Sequence, residues 1–249
     1  MPHFEALIFD LGSTLIYFDA NWSKITSQAT AELIRYLKSA GLNLDGETFS
    51  QEFSARLEKY YAEREAEFIE YTTAYNLRAL LAEWGYPKVP DAVIEPALEA
   101  MYSVSQAHWK PEADAIPTLK ELRERDYRLG LISNAADDAD VQALVGKADL
   151  RPYFEIILSS AAAGIRKPHP RIFEMALEAL EATPSSAAMV GDTLGADILG
   201  AHNSGMFSIW ITRRADVPAN RAHSDTIKPG ATVEALSEIP DLLEDLAEQ

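Results

Sequence analysis

The chain is predicted to fold as an α/β protein with a doubly wound parallel sheet, a Rossmann-like core carrying an all-helical block inserted after the first strand. Three observations predict this. Short apolar runs, Ala6–Phe9, Leu129–Ile132 and Ala187–Val190, each stop at a polar residue or pair, Asp10, Ser133 and Gly191-Asp192; brief apolar runs bounded in this way read as buried strands. Beyond Pro111 strands and amphipathic helices alternate, which implies right-handed crossovers and a parallel sheet covered on both faces. From about Asn21 to Trp109 the periodicity is helical, with no period-two strand.

Taken in order, the first strand ends at Asp10, and the apolar stretch Leu15–Phe18 leads into the helical block. Leu33, Ile34 and Leu37 share one helix face, and Gly41 is a plausible C-terminal stop. A long segment rich in Glu and aromatic residues runs from Phe49 to Phe68; Leu77, Leu80, Leu81 and Trp84 form another face, closed by Gly85 and Pro87; Val93–Tyr102 supplies a last one. Residues 18–110 are thus expected to form a helical cap acting as a lid over a core built from residues 1–17 and 111–249. In that core the pattern predicts helices at Pro117–Arg125, Asp138–Ala148, Pro170–Glu181, Ala196–Ser204 and Pro240–Leu246. Strands are expected at Arg128–Ser133, Phe154–Ser159, Ala187–Val190 and Phe207–Thr212, with a weaker one near Thr226.

Bulk properties narrow the function. In 249 residues, 47% are hydrophobic and four are Trp, enough to bury a sizeable core. No apolar run approaches the ~20 residues of a membrane span, and no leader-like pattern opens the chain. There is no cysteine, which excludes thiolate catalysis and thiolate zinc sites and fits a cytoplasmic location. A formal charge of −17 argues against nucleic acid or an anionic membrane as partner. Oligomeric state is not indicated.

In an open parallel sheet ligands bind outside the carboxyl ends of the strands. Asp10, Ser133-Asn134, Lys167-Pro168 and Gly191-Asp192 with Asp197 are therefore expected to meet in one crevice, a set that suits phosphoryl transfer through a bound metal. Asp10 can attack phosphorus and ligate a metal, although a carboxylate after a strand also serves as a cap. Ser133 and Asn134 can donate to phosphoryl oxygens, although Ser-Asn is also a common turn signal. Lys167 precedes an amphipathic helix, where the macrodipole mildly disfavours a cation; Arg166 beside it is a possible second phosphate contact. Gly191 is expected to permit a tight exit from its strand. Asp137, Asp138 and Asp140 read as first-turn helix residues, and Tyr60 and Tyr61 as a partly solvated helix surface.

In order and spacing these motifs resemble the haloacid dehalogenase superfamily, most closely its phosphatase-like hydrolases. The resemblance implies hydrolysis of a small phosphorylated metabolite through an aspartyl-phosphate on Asp10, with Mg²⁺ as cofactor. It implies that Lys167 neutralises the phosphate and the nucleophile, and that Thr14 supports the turn beside the phosphate-binding residues Ser133 and Asn134. The metal would be held by Asp10, the Gly12 carbonyl and Asp192, with Asp197 in support. One position departs from the family pattern: Asp-x-Asp-x-Thr reads here Asp10-Leu11-Gly12-Ser13-Thr14. The second aspartate is the family's general acid, and glycine cannot replace it, while its carbonyl can still face a metal. Three readings follow: a specialised phosphohydrolase, with Asp19 of the segment leading into the cap as a substitute acid or as a helix cap; a phosphate-ligand binding or regulatory protein with impaired catalysis; and a metal-free 2-haloacid dehalogenase, against which Gly191-Asp192 argues.

Overall fold

The computed structural model describes residues 4–248, with the side chains of 64–66 excepted. Along the chain the elements are β1 (Ala6–Phe9), β2 (Ile16–Phe18), α1 (Trp22–Ser39), α2 (Gly46–Glu67), α3 (Thr73–Glu83), α4 (Asp91–Gln106), β3 (Trp109–Pro111), α5 (Ala115–Glu124), β4 (Arg128–Ser133), α6 (Asp138–Lys147), β5 (Ile156–Ser159), α7 (Ser160–Ala163), α8 (Pro170–Ala179), β6 (Ala187–Gly191), α9 (Leu199–Asn203), β7 (Phe207–Ile211), α10 (Pro218–Arg221), β8 (Ala231–Val233) and α11 (Ile239–Glu248). Six strands form one parallel sheet in the order β5-β4-β1-β6-β7-β8. β1 lies at its centre, and the strand order reverses between β1 and β6, the crevice in which such sheets take their ligands.

Strand periodicity explains the layers. Leu7 and Phe9 of β1 point into an apolar cluster with Leu129, Leu131 and Val190, while Ala6 and Ile8 point into another with Ile132, Met189 and Phe173. Both faces of the sheet are therefore dry, which is why β1, β4 and β6 read as continuous apolar runs. Gly130 sits in β4 where an added Cβ would lie 2.9 Å from Leu180 and 3.0 Å from Ile156, so the C-terminal end of α8 packs directly on the strand backbone.

The helices α1–α4 enclose a third apolar cluster of their own, around Leu33, Leu37, Phe49, Phe53, Leu77, Leu81 and Ile94. Gly41 and Gly85, after α1 and α3, have φ of 96° and 89°, the left-handed geometry that suits a glycine helix stop. The cap is rooted in a two-stranded antiparallel ribbon, β2 against β3, pairing Ile16 with Pro111 and Phe18 with Trp109. The cap also grips the core at a second place. Arg166 N–H donates to Phe68 O at 2.9 Å and Glu70 N–H to Gly164 O at 3.1 Å, flanking an isolated bridge of Ile69 with Ile165. Inside this clasp the buried Glu70 carboxylate meets Arg166 at 3.3 Å, Ser160 Oγ at 2.8 Å and Tyr60 OH at 2.7 Å.

Two expectations about the fold are corrected. Thr226 lies in a turn, and the last strand is Ala231–Val233; it starts after Gly230, whose missing side chain lets the backbone pass the Phe207 ring, 2.7 Å from where a Cβ would sit. The segment around Ala196 opens as a π turn, Leu194–Ile198, before α9 begins.

Candidate active site

Asp10 is the first residue beyond β1, its N–H bonded to Val190 O at 2.9 Å, so the central strands aim its carboxylate out of the sheet. Lys167 Nζ reaches it from the loop before α8, 2.6 Å from Asp10 Oδ1 and 2.8 Å from Ile132 O. The same ammonium lies 2.7 Å from Asp197 Oδ1, an ion contact whose angles fall outside those of a hydrogen bond. Asp192 follows β6, and one oxygen from each of Asp10, Asp192 and Asp197 lies within 4.8 Å of the others. Among the described residues the four residues of this nest come from three distant stretches of chain, and all are buried.

Gly191 has a reason that differs from the expected tight turn. A Cβ there would lie 2.3 Å from the Asp197 carboxylate, so glycine lets Asp197 rest against the strand backbone. The π turn carries that carboxylate back to its own start, where Oδ2 accepts from Thr193 N–H at 2.9 Å. π turns of this kind are frequent at functional sites.

Electrostatics follow from crowding. Burial lifts Asp10 to about 6, with Lys167 drawing it down and Asp197 pushing it up. Burial lifts Asp192 to about 8, reinforced by Asp10 and Asp197. Burial works against the Lys167 ammonium, yet Asp10 and Asp197 hold it above the usual lysine value. Three carboxylates around one lysine leave an excess of negative charge in a buried place, and all the donors are hard oxygens. That donor set fits a divalent cation such as Mg²⁺. Asp10 and Asp192 would hold the ion, with Asp197 committed to Lys167 and Thr193.

The other expected residues divide. Ser133 ends β4 and faces the cleft, as does Gly12. Asn134 also lines the cleft, but its amide is committed: Nδ2 donates to Lys167 O and Oδ1 accepts from Lys167 N–H, both at 2.9 Å. It positions the lysine and has little left for phosphate. Thr14 is fully buried away from the cleft lining, and its hydroxyl has no hydrogen-bond partner, so neither the turn-supporting bond nor a phosphate contact is present. Arg166 lines the cleft with its guanidinium paired to Glu70. Asp19 is half-exposed, ion-paired with Lys110 and outside the cleft lining; that pairing holds its carboxyl below the usual range, and Asn21 caps α1 instead. Asp19 is therefore neither a poised acid nor a cap.

Several site residues carried no sequence signal. Asn220 of α10 donates to Asp192 O and Ala215 O and accepts from Leu194 N–H, at 2.8, 2.9 and 2.8 Å; Trp210 Nε1 donates to Asp192 O at 2.8 Å. Together they fix the backbone of a proposed metal ligand. Trp109 packs over Gly12, 3.5 Å from where a Cβ would stand. Asp138 and Asp140 lie in the first turn of α6 as expected, while Asp137 stands one residue earlier as its N-cap, accepting from Asp140 N–H at 3.0 Å; Asp137 and Asp140 also line the cleft. Tyr60 is buried against Glu70, contrary to the expected solvated face.

Residues 4–205 match the haloacid dehalogenase-like hydrolase family. The chain belongs to that family. It is a hydrolase on the fold expected from the resemblance. It is 29% identical over 245 residues to a glyceraldehyde 3-phosphate phosphatase of Methanopyrus kandleri, covering 98% of each chain. It is 32% identical to a phosphoserine phosphatase of Thermus thermophilus, covering 71% of this chain and 80% of that one. The solved structure of a 2-haloacid dehalogenase from Pseudomonas syringae pv. Tomato superposes with a TM-score of 0.66 at 26% identity, covering 98% and 99%.

Proposed function

We propose that this family member is a Mg²⁺-dependent phosphomonoester hydrolase working through an aspartyl-phosphate on Asp10, without an acid at position 12. The observation that carries the reading is the nest of Asp10, Asp192 and Asp197 around Lys167. The two relatives named as phosphatases support a small phosphorylated substrate.

Asp10 attacks phosphorus through a carboxylate oxygen, and the bond from phosphorus to the leaving oxygen breaks with its electron pair on that oxygen. Lys167 offsets the repulsion between carboxylate and phosphoryl dianion, while Ser133 donates to a phosphoryl oxygen. Asn134 holds the Lys167 backbone in place through both faces of its amide. Asp10, Asp192 and the Gly12 carbonyl would hold Mg²⁺, which would supply neutralisation of phosphoryl charge. Water then attacks phosphorus, releasing phosphate and restoring the Asp10 carboxylate. Gly12 can neither protonate the leaving oxygen nor activate that water, a role worth on the order of 10²–10⁴ in rate elsewhere. The leaving group therefore departs as an anion or takes its proton from solvent.

The test is release of phosphate from p-nitrophenyl phosphate with and without a chelator, in wild type and Asp10→Asn, with halide release from 2-chloropropionate measured in parallel. Metal-dependent phosphate release that vanishes in Asp10→Asn is expected. Chelator-resistant halide release would assign a dehalogenase instead. Binding of phosphate with no turnover of either substrate would assign a ligand-binding role.

A further inference from the structure

The cleft above the carboxylate nest encloses about 910 Å³, near the top of the range for pockets that hold drug-sized molecules. A phosphoryl group occupies only its floor, so most of the space faces the leaving group. The cap side of that space is uncharged and largely apolar, with Trp22, Leu57, Tyr61, Phe68, Met101 and Trp109 on its wall. The hydroxyls of Thr26, Thr30, Thr73, Tyr102 and Ser105 are interspersed among them. Trp22 is 56% exposed and Tyr61 44%, large surfaces left open at the mouth of a concave site. Trp22 is held there by Phe18, ring centroids 4.8 Å apart, and Phe18 in turn by Trp109 at 5.4 Å.

Charge on the same wall is one-sided. Among the described residues no Lys, Arg or His of the cap lines the cleft. Arg166 on the core side is engaged by Glu70, and Lys167 by Asp10 and Asp197, while the imidazole of His223 lines the cleft beside Gly195. Asp137 and Asp140 face the cleft from α6 and the turn before it; Asp140, lifted by burial to about 6, is still ionised at neutral pH. A carboxylate or second phosphate on the leaving group would enter largely apolar surroundings with two carboxylates nearby and only the His223 imidazole to offset its charge, a costly burial.

We propose that, within the phosphohydrolase reading on which this rests, the preferred leaving group is bulky, apolar or aromatic, and carries no negative charge. Small acidic or triose phosphates, such as the substrates for which the two relatives are named, would then be poor substrates. The apolar wall and the carboxylates of Asp137 and Asp140 point the same way, and each is independent of the chemistry at Asp10.

The experiment compares 2-phenylethyl phosphate with ethyl phosphate and O-phosphoserine. The first two leave as alcohols of similar acidity, so the missing proton donor cancels between them. The phenyl compound is expected to show kcat/KM on the order of 10²-fold above both, given that even one methylene in an apolar pocket is worth roughly 10–200-fold. Trp22→Ala, at an exposed position, is expected to narrow the phenylethyl-to-ethyl ratio by about tenfold. Equal or reversed ranking overturns the proposal. Calorimetric binding of 2-phenylethylphosphonate and 2-carboxyethylphosphonate with Mg²⁺ present provides a readout that needs no turnover. Tighter binding of the phenyl compound without hydrolysis of any phosphate would leave the ligand class standing and remove the hydrolase reading; tighter binding of the carboxyethyl compound, or of neither, overturns the inference.

Discussion

Replacing Gly191 by alanine adds one methyl group and should disable the site. In the wild-type structure the new Cβ would stand 2.3 Å from Asp197 Cγ and Oδ2 and 2.6 Å from its Cβ. Ordinary carbon contacts need about 3.5–4.0 Å, so the carboxylate must retreat by more than about 1 Å. It cannot do so quietly, because Oδ2 is bonded to Thr193 N–H at 2.9 Å and Oδ1 lies 2.7 Å from Lys167. Lys167 then loses one of its two carboxylate partners and its distance to Asp10 is no longer fixed. Misplacement of a reacting group by 1 Å costs on the order of 10²-fold in rate, and overpacking of a tight site costs about 1–3 kcal/mol in stability. Gly191→Ala is therefore expected to fold, with a lowered melting temperature, to lose about 10²-fold in kcat on p-nitrophenyl phosphate, and to need more Mg²⁺. The assay is steady-state kinetics across a Mg²⁺ titration, paired with thermal melts. Wild-type kcat and Mg²⁺ dependence in the folded variant would refute the close-approach explanation of this glycine.

Asp10→Asn should abolish turnover with little change in fold, checked by phosphate release and circular dichroism. Rates on wild type should fall steeply as leaving-group pKa rises, and Gly12→Asp should flatten that slope and gain about 10²-fold on poor leaving groups; Gly12 is not at a left-handed φ and its Cβ would make only ordinary contact with Trp109, so a shallow wild-type slope is the result that defeats the idea. Asp10 and Asp192 are raised to about 6 and about 8; the folded protein then binds more protons than the unfolded chain, and without metal these groups make stability fall as pH rises from about 4 to about 8. Added Mg²⁺ should accordingly raise the melting temperature more at pH 8 than at pH 6 (both about), read by calorimetry at constant ionic strength. Asn220→Ala strips the partner from Leu194 N–H and removes one of two donors from each of Asp192 O and Ala215 O; it should cost about 1–3 kcal/mol in denaturant unfolding and weaken Mg²⁺ binding in a titration.

The sheet was legible because both its faces are buried, which turns β1, β4 and β6 into unbroken apolar runs, and because helices cover it on each side. The nest at its carboxyl edge was legible because Asp10, Ser133 and Asp192 each end such a run, a position a strand cannot hide. What sequence could not convey was commitment. Asn134 and Arg166 have the chemistry of phosphate ligands, but their partners, the Lys167 backbone and Glu70, lie 33 and 96 residues away. Thr14 is four residues from Asp10, yet the turn that includes Ser13, at φ of 63°, takes its side chain into the interior. β8 was misplaced because three residues on an edge strand carry too little pattern, and its start is set by the Phe207 ring rather than by its own composition. Trp109 reads as the end of a helix in sequence and becomes a strand residue only by pairing with Phe18 across 91 positions.

The clasp between cap and core closes on Arg166, and the ammonium that pairs with Asp10 belongs to the next residue. The attachment of the cap and the ion pair with Asp10 thus belong to adjoining peptide units. A cap that let go of residues 164–166 would tug on the one segment whose far side is pinned by Asn134, so slack at the clasp is transmitted to Lys167 with no intervening lever. The two-stranded ribbon at the opposite end has its own tie to the site: Ile16 N–H donates to Leu11 O at 3.0 Å and Ser13 N–H to Ile16 O at 2.7 Å, in the loop that follows Asp10. Each of these two attachments thus ends within a few residues of the nest, one beside Lys167 and the other beside Asp10.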